Sequence, residues 1–241
     1  MTLLRTIVFA GLLSTSAFAN EDALRVCLIS QSDPDAASVL RATVRDCANA
    51  LSDLSLGKAD RVEALTHRGV ALRNLRELQA SLRDLEEAVR LAPDNAFAIR
   101  MYAWTLREMR RLDEAEAEYD HALSIKREWQ GLLSRCVVRI DREDYVAALL
   151  DCEEALTLHP NEDAYYFTAW LFHRKSETAR AIGLLEEARA SRNASPRIYQ
   201  LLALSYQANS SDEDALRIIK EGLKAFPRDA SLKEFEVQLR N

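Results

Sequence analysis

Glycine and proline are scarce in this chain, at 6 and 5 of 241 residues. That scarcity excludes collagen-like and low-complexity architectures and leaves few places to interrupt a helix. After residue 19 no apolar, uncharged run approaches the ~18 residues that a membrane-spanning helix needs. The four histidines, His67, His121, His159 and His173, have no metal-ligand spacing to a second histidine or a cysteine. There is no glycine-rich phosphate loop and no Gly-x-Ser-x-Gly elbow. Acidic pairs such as Glu86-Glu87, Glu153-Glu154 and Glu186-Glu187 recur at a fixed interval and read as solvated helix faces. No catalytic residue, metal site or cofactor is therefore expected, and the chain reads as a non-enzyme. Its net charge of −6 gives no electrostatic reason to bind nucleic acid or anionic lipid.

What is present is helix-forming and core-forming. Apolar residues make up 48% of the chain and charged residues 29%, a balance that supports a packed core. Residues 1–19 differ from the rest: Arg5, an apolar run from Thr6 to Leu13, then Ala17-Phe18-Ala19. This is the layout of a cleavable secretory signal. Removing it takes away one positive charge, so −6 becomes −7. The expected location is the periplasm or the exterior of a bacterium, with no stable membrane insertion after cleavage.

Export into an oxidising compartment lets the four cysteines pair. Cys136 and Cys152 lie eight residues either side of Asp144, within the polar stretch from Asp141 to Asp144. Two antiparallel helices meeting there bring both thiols to one height, so a disulfide is expected. Cys27 and Cys47 flank a turn near Asp33-Pro34, but their heights differ by about 10 Å at helical rise. A bridge between them needs a bent lead-in. The alternative for each pair is a reduced, buried thiol acting as a small hydrophobe.

A repeat organises the rest. Gly69, Ala103, Cys136, Ala169 and Ala203 are spaced 34, 33, 33 and 34 residues apart. Ser81, Ala115, Ala148, Ala181 and Ala215 keep the same spacing, as do Ala88, Ala122, Ala155, Ala188 and Gly222. Larger residues follow in phase, as in Leu85, Tyr119, Cys152, Leu185 and Ile219. Pro93, Pro160 and Pro227 close three of the five units. Within each unit apolar residues recur every three or four positions, which predicts two helices. The small columns let the helices approach closely, and the large columns fill the space beside that contact.

The columns together resemble the tetratricopeptide repeat family, and the start of the chain resembles exported bacterial members of it. The resemblance implies an all-α, right-handed superhelical solenoid of antiparallel helix pairs. The expected layout is a signal at 1–19 and an N-terminal helical cap with a degenerate repeat at 20–61. Five repeats follow at about 62–95, 96–128, 129–161, 162–195 and 196–229, then a capping helix at 230–241, started by Asp229 or Ser231. Departures from the family pattern include Arg139 in place of an apolar residue and Arg127 and Asn193 where proline is common. The segment between helices in the fourth unit, around Arg174 to Thr178, is expected to be shortened.

In this family the first helices line a concave face that takes a peptide or protein. Carried onto this chain, that face is expected to present Arg73, Phe97, Arg100, Trp104, Arg107, Tyr166, Trp170 and His173. Tryptophan and arginine are the commonest energetic anchors of interfaces. Packing between repeats is the other reading of Trp104 and Trp170. The expected function is an exported scaffold for a protein or peptide partner, in envelope assembly or stress response. A homo-oligomeric module, or a small-molecule or enzymatic protein with a pocket between repeats, is the alternative.

Overall fold

A computed structural model describes residues 37–190 and 194–240. These residues form helices and no strand. The expected signal and Cys27 lie outside the described residues. The helices are α1 (Ala37–Leu51), α2 (Lys58–Asn74), α3 (Leu78–Leu91), α4 (Ala96–Glu108), α5 (Leu112–Ile125), α6 (Trp129–Asp141), α7 (Tyr145–Leu158), α8 (Glu162–Arg174), α9 (Thr178–Ala190), α10 (Pro196–Ala208), α11 (Asp212–Ala225) and α12 (Ala230–Arg240). The chain divides into two compact units, residues 1–109 and 110–241.

In the first unit α2 packs against α1 and α3, and α4 packs against α3 and α2. The small-against-large rule is visible at α2 and α3. A Cβ added to Gly69 would lie 2.6 Å from Leu85 Cγ, so only glycine lets α3 come this close. In the second unit α6 packs on α7, α8 on α9 and α10 on α11, and α6–α8 and α8–α10 also touch. Cys136 and Cys152 are the third repeat's counterparts of Gly69 and Leu85. Both are fully buried and joined by a disulfide, with their Cα atoms 5.6 Å apart. The expected pairing is present. Cys47 is also buried and disulfide-bonded.

One turn recurs between the first and second helices of the repeats. Its central residue has a left-handed backbone: Arg76 (φ 67°), Arg110 (62°), Glu143 (64°), Ser176 (60°) and Ser210 (58°). The amide of the next residue reaches back to a carbonyl in the last turn of the helix, as Glu77 N does to Leu72 O and Glu177 N to Phe172 O. This closing hydrogen bond offsets the cost of the left-handed residue and satisfies a terminal carbonyl. The turn also corrects the expectation for the fourth unit. Lys175–Glu177 is three residues long, like Leu75–Glu77, because the same hydrogen-bonded motif closes both.

Helix starts use short polar side chains. Asn95 accepts from the amides of Phe97 and Ala98, Asp144 from that of Ala147, and Asn161 from that of Ala164. Asp229, one of the two expected caps, accepts from the amide of Leu232 and from the hydroxyl of Ser231. Leu232 is buried beside Gly222.

Candidate functional site

Within each unit, arginine, aromatic and acidic side chains gather on the first helices of the repeats. In the first unit α4 supplies Phe97, Arg100, Trp104 and Arg107 at helical intervals on one side. Its neighbour α2 supplies His67 and Arg73. The guanidinium of Arg73 lies 4.2 Å from the ring centroid of Trp104 and 3.8 Å from Glu108 Oε1. Arg73 itself is only 5% exposed, whereas Trp104 is 39% exposed. The tryptophan is therefore neither wholly core nor free: one face is braced by a cation and part of the ring stays open to solvent. Arg100 lies 5.5 Å from the ring centroid of Phe97, which is 44% exposed and tilted against His67. Arg107 is half-buried at the last turn of α4.

Beside this group is a cleft of about 710 Å³, lined by Lys58, Val62, Glu63, Thr66, His67 and Phe97 among others. It opens where α2 begins and α4 starts. Burial pushes the His67 imidazole below its ordinary pKa, and the nearby Glu63 works against that shift.

In the second unit α8 supplies the expected Tyr166, Trp170 and His173. Arg197 lies over Tyr166 at 4.8 Å, and Tyr166 meets Phe167 edge to face. Trp170 makes an edge contact with Tyr145 and has Arg174 5.8 Å from its centroid. His173 Nδ1 is 3.3 Å from the hydroxyl of Ser205 on α10. All three are half-buried, so this group is more closely packed into its surroundings than Phe97 and Trp104.

Much of the remaining charge is used within the fold. Arg139 bonds Glu116, Asp151 and the carbonyl of Ala147, which accounts for a charged residue in an apolar column. Burial works to raise the Glu116 pKa, but hydrogen bonds from Arg139 and Arg142 outweigh it and hold it low. Arg135 joins Asp120 and Asp151, and its pKa is raised mainly by the Asp151 hydrogen bond. The paired glutamates are engaged too: Glu87 with Arg90, Glu154 with Arg127, Glu153 with Arg180 and Glu186 with Arg189. Burial and the Glu187 carboxylate push Tyr165 up to about 12. Sequence reasoning missed those of these partners that come from other helices. Among the described residues no group of three or more histidine, cysteine, aspartate or glutamate side chains could hold a metal ion.

Comparison with known proteins matches residues 62–95 and 101–128 to the tetratricopeptide repeat family. The first two repeats are tetratricopeptide repeats. Likeness in fold reaches further than the family match. PilW, a widely conserved type IV pilus biogenesis factor, is 15% identical with a TM-score of 0.75, covering 91% of this chain and 97% of its own. PilF of Pseudomonas aeruginosa is also 15% identical, with a TM-score of 0.73, covering 93% and 100%. YrrB, a tetratricopeptide repeat protein with an unusual peptide-binding site, has a TM-score of 0.60 at 15% identity, covering 77% and 94%. Among curated proteins none matches. The fold class is the all-α tetratricopeptide type, an architecture that generally serves protein interaction rather than catalysis. Among the described residues no helix is long and apolar enough to cross a membrane.

Proposed function

We propose that this protein is an exported bacterial scaffold that holds a peptide or protein partner on the face of its first helices. The observation that carries the reading is the first-unit group in which Arg73 braces a part-exposed Trp104, with Phe97 and Arg100 beside it. Holding an aromatic ring rigidly before binding lowers the ordering cost of association. Arginine supplies planar donors for a carboxylate. The partner surface is accordingly an extended or helical segment with acidic groups, or a free C-terminus, beside an apolar side chain. Tyr166, Trp170 and His173 form the corresponding group of the second unit.

Export rests on the signal-like start of the chain and on disulfide bonding in the described residues. The names of PilW and PilF, which share the fold, make envelope assembly the process of choice. The carrying experiment is photo-crosslinking in the native envelope from aromatic probes at positions 97 and 107. A partner should be crosslinked at these positions and lost when Trp104→Ala and Arg100→Glu are combined. Crosslinks that survive that pair would refute the face. Crosslinks only between copies of this chain would favour a homo-oligomeric module instead.

A further inference from the structure

The start of a first helix and the end of its own second helix lie at the same end of each antiparallel pair. In the third repeat this corner holds two rings. Trp129 of α6 stacks on His159, just past α7, with centroids 4.6 Å apart and planes 25° apart. In the fifth repeat Phe226, just past α11, meets Tyr199 of α10 edge to face at 6.1 Å. The first repeat has no ring at these positions. The step that relates Leu132 to Leu65 and Ala155 to Ala88 relates Trp129 to Val62 and His159 to Ala92. In the same way Tyr199 corresponds to Leu65 and Phe226 to Ala92.

The cleft of about 710 Å³ beside Phe97 lies at this corner of the first repeat. Val62 is buried at its base and too short to fill it. The walls that a ligand can reach are the exposed Ala59 and Glu63, the half-buried His67 and Ala92, and the Phe97 ring, which is 44% exposed. His67 and Phe97 already bring two rings to this edge, with centroids 6.4 Å apart. The carboxylates of Glu63 and Asp94 stand at the rim. Among the described residues neither makes a hydrogen bond or an ion pair, so both are open to a donor. The volume falls within the range of ligand sites and admits one indole with its flanking backbone.

We infer that this cleft takes a tryptophan side chain of the protein partner, which supplies from outside the ring that Trp129 supplies within the third repeat. The indole lies against Phe97, Ala59 and Ala92, and its N–H donates to a rim carboxylate. Tryptophan is also among the residues that most often anchor an interface. The inference rests on the partner face proposed for the first helices and names the side chain that anchors there.

N-acetyltryptophanamide and N-acetylleucinamide are the probes, titrated separately into the full chain while the methyl signals of Ala59 and Ala92 are followed by NMR. The tryptophan probe should shift these methyls by its ring current and bind more tightly than the leucine probe. Phe97→Ala should weaken the tryptophan probe roughly 2- to 10-fold, the worth of one aromatic pair, and the leucine probe less. The pair Val62→Trp and Ala92→His copies the third repeat, fills the cleft and should abolish binding of both. Phe97→Ala, at an exposed position, carries the test by itself if the filled pair does not fold. Equal binding of the two probes, equal binding of the tryptophan probe by native and Phe97→Ala protein, or no shift at these methyls would overturn the anchor. The probes read the cleft alone, and crosslinking from position 107 reads the face. Crosslinks from position 107 that persist unchanged in Phe97→Ala protein would overturn the anchor and leave the face standing.

Discussion

The disulfide in the third repeat allows a direct test of how this fold holds together. Every neighbouring repeat joins its helices at this point by packing, with Gly69 against Leu85 as the clearest case. The third repeat replaces that contact with a covalent bond between residues 16 apart. Chain-entropy reasoning gives about 3 kcal/mol for closing a loop of this size. The perturbation is the pair Cys136→Ala and Cys152→Leu, which copies Ala169 and Leu185 of the fourth repeat. It restores a small-against-large contact, so the loss should reflect the crosslink more than the core. Hydrogen exchange of α6 and α7 amides is the assay. Those protected by opening of this helix pair should exchange roughly 100-fold faster, since each 1.4 kcal/mol is a factor of ten. Native protein, reduced while unfolded and then refolded in reductant, should approach the variant. The variant should ignore reductant at these amides. Equal protection in oxidised and fully reduced native protein would refute the reasoning, because the loop would then contribute nothing.

Gly69→Ala should destabilise by about 1–2 kcal/mol in denaturant unfolding. Its Cβ overlaps Leu85, and that overpacking outweighs the gain in helix propensity; an unchanged midpoint would mean that α3 yields freely. Ser176→Gly should stabilise by about 0.5 kcal/mol, because glycine holds the left-handed backbone without strain but is freer when unfolded. A matching gain from Ser176→Ala would contradict that cause. His67 has a folded pKa below its ordinary value of 6.5, through burial. The unfolded chain therefore takes up the proton first, and the His67 contribution is full above pH 6.5 and is lost as pH falls toward the folded pKa. Thermal unfolding of native protein and His67→Gln should diverge above that window and converge on acidification; parallel curves would rule His67 out.

The helix pairs were legible because a 34-residue spacing repeats across many columns at once. Cys136 and Cys152 were legible because their symmetry about Asp144 implies equal heights on facing helices. Both inferences use only periodicity and rise, which the backbone hydrogen-bond geometry imposes on any sequence that forms a helix. The expected face residues could be placed on α2, α4 and α8 by the same arithmetic. Their contacts could not. That Arg73 lies over Trp104 is a choice of side-chain rotamer. That Arg139 sits in an apolar column is tolerated only because Glu116 and Asp151 arrive from other helices. The common three-residue length of these turns, Lys175–Glu177 included, is not marked in the sequence because none of the five left-handed residues is a glycine.

The sequence by itself determined the helices, the repeat and the Cys136–Cys152 disulfide, whose cysteines lie symmetrically about one turn, since each follows from local spacing. Tertiary structure alone decided which charges are satisfied inside the fold and which aromatics remain open. Those outcomes depend on atoms brought together from different helices, and a periodic pattern specifies the face a residue occupies without specifying what it meets there.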